Sequence, residues 1–72
     1  MAVKFDEIRH RAFCAYLDEA EALFRKNPKA AYAKCRKLAA ENMAENSGKY
    51  GQKSPEYDAY DTAAIDYGNG AL

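Results

Sequence analysis

Two cysteines and one histidine are the side chains of this 72-residue sequence best suited to bond making or metal ligation. His10 and Cys14 stand four apart, a spacing that sets both on one side of a helix. A structural zinc ion takes four ligands, and Cys35 belongs to an apolar stripe, so only carboxylates could complete the set. The pair therefore reads as part of a solvated helix face. A Cys14–Cys35 disulfide is not expected either. Across a helical hairpin the two lie at unequal distances from the turn, roughly 7 Å out of register at ~1.5 Å per residue, and face different ways. The acids Asp58, Asp61 and Asp66 follow one another along a short segment. Nucleophilic or acid/base catalysis needs a nucleophile, a base and an orienting group around a pocket. The run from Asp58 to Gly70 also lacks the alternating oxygen ligands of a calcium loop. No enzymatic activity, cofactor or metal is expected.

Lys49 to Lys53 read KYGQK, which is similar to the heart of the signature of the WRKY transcription factors, a family that reads DNA with a zinc-bound β-sheet. The likeness covers five residues. Ser47-Gly48 replace the tryptophan and arginine of the family, its downstream Cys and His ligands are missing, and the flanking segments have helical patterning. No function is carried over.

Helical segments must position everything else. From Phe5 to Lys26, Phe5, Ile8, Phe13, Leu17, Leu23 and Phe24 fall on one broad arc at about 100° per residue, with Glu7, Arg11, Asp18 and Arg25 opposite. Asn27-Pro28 ends that helix and starts the next, because proline disfavours a helical residue before it and suits a first helical position. The second helix runs from Pro28 to about Asn46, with Ala31, Tyr32, Cys35, Leu38 and Met43 on one face. Ser47-Gly48 stops it, and a loop spans 47–54. Ser54-Pro55-Glu56 repeats the logic of cap, proline and first-turn acid. Tyr57, Tyr60, Ala64 and Tyr67 then recur at helical steps, which predicts a third helix over Pro55 to Tyr67 and a short frayed end over 68–72. A helix so short is marginal alone in water, so it must dock.

The expected fold is all-α: an antiparallel helical hairpin with a short third helix across it, a three-helix miniprotein in one domain. Its core is expected to hold Phe5, Ile8, Phe13, Leu17, Leu23, Phe24, Cys35, Leu38 and Met43, flanked by Tyr32, Tyr57, Tyr60 and Tyr67. Arg9 falls inside the apolar arc and must either snorkel out at the helix end or pair with an acid, for which Asp61 is a candidate. Ala30, Ala33, Ala40 and Ala44 form a smooth strip on the second helix, open to close approach by the third helix or by a twofold partner.

Eleven basic and eleven acidic residues leave no net charge, unlike a chain that lives on the nucleic-acid backbone. Three helices could in principle make a helix-turn-helix reader. The third, however, would bring Glu56, Asp58, Asp61 and Asp66 towards phosphates, the wrong electrostatic sign. The chain opens MAVKFDEIRH, with charges where a signal peptide needs an apolar core, and has no apolar run of ~18 residues. A soluble cytoplasmic protein is expected, with no membrane association. The function that remains is a non-enzymatic protein-binding module. It would be an adaptor or inhibitor acting by surface occupancy, as small phage and mobile-element products do against host complexes. Tyr50, Lys53, Asp58, Asp61 and Asp66 would make its contact, with Arg36 and Lys37 as a second patch. One alternative is a nucleic-acid-associated regulator using Lys26, Lys29, Lys34, Arg36 and Lys37; another is a structural homodimer or higher oligomer.

Overall fold

A single residue, Asn27, separates the first two helices. Its N–H donates to the Leu23 carbonyl at 2.7 Å and closes the last turn of α1, Glu7–Lys26. Its own carbonyl accepts from Ala31 at 3.0 Å, and its side-chain Oδ1 accepts the Ala30 N–H at 3.2 Å, capping α2, Pro28–Glu45. One asparagine thus serves two helix ends whose backbone groups would otherwise be unsatisfied. The computed structural model describes residues 7–45 and 53–72. The third helix, α3, spans Pro55–Gly68.

Ser54 caps α3 from an extended backbone (φ −63°, ψ 154°), its Oγ accepting the Tyr57 N–H at 3.2 Å ahead of Pro55. The Ser54 N–H donates in turn to Oδ1 of Asn42 at 2.9 Å, fixing the start of α3 to the far end of α2. At its other end Tyr67 lies 5.5 Å from the ring of Phe24 and 6.1 Å from that of Tyr32, beside the Asn27 turn. α3 therefore runs antiparallel to α2 and in the same direction as α1. After Tyr67 the chain turns back. Gly70, in the left-handed region at φ 77°, donates to the Tyr67 carbonyl, Ala71 donates to that of Asp66, and Leu72 packs on the core.

The hairpin is antiparallel, as Glu19 and Lys34, eight residues before and seven after Asn27, meet at 3.6 Å. Its two helices touch each other less than α3 touches either, and α3 packs most extensively on α1. The core consists of two large side chains, Phe24 and Tyr60, bedded in Ala20, Ala31, Ala59 and Ala63, all without exposure, with Leu38 at 8%. Leu17, Leu23, Cys35, Tyr57 and Tyr67 are half-buried against it.

Three expectations are corrected. Tyr60, read as a flanking residue, is a core residue. Ile8 and Met43, read as core, are 82% and 43% exposed. Each stands twelve residues from a buried alanine, Ala20 or Ala31, and twelve steps of about 100° carry it some 120° off the buried stripe. Phe13 is half-buried. Phe5 lies outside the described residues. In the alanine strip, Ala33, Ala40 and Ala44 stay exposed, so α3 does not lie on that surface. No described helix is long and apolar enough to cross a membrane.

Candidate interaction surfaces

The outward side of α3 is built from Asp58, Asp61 and Ile65, which share a face by helical steps of three and four. The inward side is occupied by Ala59, Tyr60 and Ala63. Asp61 accepts a 2.7 Å bond from Nζ of Lys53, whose ammonium also lies 5.4 Å from the centre of the Tyr57 ring. That bond to Asp61 holds the Lys53 ammonium above its ordinary pKa despite some burial. The acid that the sequence offered to Arg9 is thus engaged by Lys53. Asp58 and Asp66 are half-buried, and Asp66 lies about 100° round the helix from Ile65, on the flank of the face. Ile65, one turn beyond Asp61 on the same face, is 57% exposed. Sequence reasoning missed it, although its spacing from Asp61 was there to read. Tyr50, assigned to the same contact, lies outside the described residues.

The five basic residues expected to form one patch are divided. Lys34 turns inward, 3.6 Å from Glu19 of α1 and 3.6 Å from Glu56 of α3, with its Nζ 4.8 Å from the centre of the Tyr60 ring. Tyr60 donates its hydroxyl to Glu19 at 2.8 Å. One ammonium, two carboxylates and one phenol from three helices thereby lock the middle of the molecule. Burial opposes the Lys34 charge, but the Tyr60 hydroxyl, Glu19 and Glu56 outweigh it and leave the pKa raised. The Tyr60 pKa is also raised, first by burial and then by its bond to Glu19, against the pull of Lys34. Lys29 and Arg36 remain exposed on the outer side of α2. Lys37 is exposed beside a depression between α2 and Glu56 of α3, and Lys26 borders the seam between α1 and α2 from α1.

That seam is a groove on the side of the molecule away from the outer face of α3. A depression of about 470 Å³ lies between α2 and Glu56 of α3, while two others, of about 350 Å³ near the open end of the hairpin and about 330 Å³ towards the Asn27 end, lie along the groove. Its walls are Ala12, Tyr16, Ala22 and Leu23 on α1, and Lys34, Leu38, Glu41 and Glu45 on α2. Pro55, Glu56 and Tyr60 of α3 show through as its floor. The groove exists because the hairpin helices are held apart by α3, and no periodicity in one helix reports that spacing.

Both cysteines are free thiols. Cys14 Sγ lies 3.6 Å from Nε2 of His10 on an exposed surface, and no third ligand-type residue joins the pair among the described residues. Cys35 is half-buried, and burial, followed by the nearby charge of Asp61, pushes its thiol pKa up. No protein-family model matches this sequence, and neither a curated protein nor a solved structure is significantly similar to it.

Proposed function

We propose that this chain is a non-catalytic binding module, an adaptor or inhibitor that occupies the surface of a partner protein through the outward face of α3. The observation that carries the reading is Ile65, a large aliphatic side chain 57% exposed one helical turn beyond Asp61 and two beyond Asp58, on a helix whose inner face is buried at Ala59, Tyr60 and Ala63. Apolar anchors ringed by polar groups are the usual anatomy of a contact surface. The partner chemistry that fits is an apolar socket bordered by lysine or arginine. The network of Lys34, Glu19 and Tyr60 serves to hold the helices together, so it leaves the outer face as the part able to act on another molecule.

The test is retention of host proteins on the immobilised chain, with and without nuclease, comparing wild type with Ile65→Asp. A protein held stoichiometrically in both conditions and lost with Ile65→Asp, at unchanged helical circular dichroism, supports the reading. Equal retention by the variant removes α3 as the contact. Retention that disappears with nuclease would transfer the function to Lys29, Arg36 and Lys37 and a nucleic-acid partner.

A further inference from the structure

His10 and Cys14 make a contact that neither the packing of the helices nor the α3 face uses. Both side chains are exposed on α1, and Sγ of Cys14 lies 3.6 Å from Nε2 of His10. A helical step of four brings the two together without help from any other element. The imidazole is stacked beside the half-buried Phe13 ring, with centroids 6.5 Å apart and planes 24° apart, which restrains where Nε2 points. Zinc bonds a thiolate sulfur at about 2.3 Å and an imidazole nitrogen at about 2.0–2.1 Å, so on a tetrahedral ion the two ligand atoms stand about 3.6 Å apart. The donors thus already have the separation that one ion between them requires. Glu7, one turn before His10, is taken by Arg11 at 2.8 Å, and no third ligand-type residue joins the pair among the described residues. That count excludes a closed structural site with four protein ligands. It leaves a site with open positions.

We propose that His10 and Cys14 are a two-residue site for a transition-metal ion of the zinc class, with water in the two remaining positions. Sulfur and imidazole together suit such an ion and select against calcium and magnesium, which take oxygen ligands. Binding exchanges a proton for the ion. The Cys14 S–H bond breaks, a sulfur–metal bond forms, and the proton passes to solvent. Nε2 gives the lone pair of a neutral imidazole whose own proton sits on Nδ1. Nothing is oxidised or reduced. The bound ion ties two positions of α1 across one turn, and the unfolded chain does not hold these donors together, so the ion favours the helical form. The inference goes beyond the α3 reading and does not depend on it, since Asp58, Asp61 and Ile65 take no part in the site.

Titration of the full chain with cobalt(II), under a phosphine reductant that keeps the thiols free, tests the site. The wild-type chain should develop a near-ultraviolet thiolate-to-cobalt charge-transfer band that saturates at one ion per chain. Zinc should displace the cobalt and calcium should not, and saturating zinc should raise the urea midpoint. Cys14→Ser should abolish the band. His10→Ala should weaken binding by at least about tenfold, the loss that removing even an outer-shell partner causes at metal sites. Neither variant should gain stability from zinc. Both positions are exposed, so circular dichroism should show the fold retained in each. A wild-type chain without the band overturns the proposal. So does a band that survives Cys14→Ser, which would place the thiolate at Cys35, or binding by His10→Ala at wild-type strength. Saturation at one ion per two chains also overturns it, since ligands would then come from two molecules. None of these outcomes alters what Ile65→Asp does to partner retention, so the two readings fail separately.

Discussion

Tyr60 has no exposed surface, yet its hydroxyl keeps a 2.8 Å bond to a carboxylate that is itself half open to water. Among the described residues it is the one large polar-tipped side chain in the core, and Tyr60→Ala should cost about 3–5 kcal/mol in urea-denaturation stability. A domain this size has little more than that to lose. Tyr60→Phe isolates the hydroxyl and should cost only about 1 kcal/mol, because water still reaches Glu19 and Lys34 remains beside it. The sequence showed that a tyrosine stripe exists but not which member of it is buried. The deciding partner, Glu19, lies 41 residues away along the chain. Proton binding carries a second prediction at this scale. Cys35, Tyr60, Lys34 and Lys53 all have raised pKa values in the folded chain, so the unfolded chain loses these protons first as pH climbs. Their contribution is complete below the ordinary thiol value of 9.0 and drains away above it, Cys35 first. Urea midpoints measured from pH 7 to 11 should show a decline beginning near that value, and Cys35→Ala should shift its onset upward.

Caps were the most legible features at the level of helices, since proline and its neighbours act locally. Asn27-Pro28 and Ser54-Pro55 start α2 and α3 where their spacing says they must. The faces were less legible. A broad apolar arc takes in Ile8 and Met43, but only the narrower part that meets α3 is covered, and that width is set by neighbouring helices. The clearest element-level device is the bond from the Ser54 N–H to Asn42. Asn42→Ala leaves that donor without its partner in a half-buried position and should cost about 1–2 kcal/mol. The loss should appear first as faster amide exchange at Tyr57 and Asp58 in the opening turn of α3. Amides of α3 near Tyr67 should hold, because the rings of Phe24, Tyr32 and Tyr67 secure that end.

Taken whole, the described residues form three helices in which the last holds the first two apart as well as together, and this arrangement creates the groove. The all-α class and the number of helices were readable from periodicity and punctuation. The groove was not, because it depends on the angle and spacing of α1 and α2, which only the thickness of α3 determines. With so little direct contact between α1 and α2, a chain ending at residue 53 should lose most of its helical circular dichroism rather than persist as a hairpin. The same seam governs how fast the fold is reached. Its decisive contact joins residues 41 positions apart, so a loop of more than half the chain must close before the Tyr60 ring finds cover. Local helix formation is fast by comparison. The chain should therefore form and lose α1 and α2 many times for each successful passage, and should fold more slowly than a bundle whose core is assembled from neighbours in sequence.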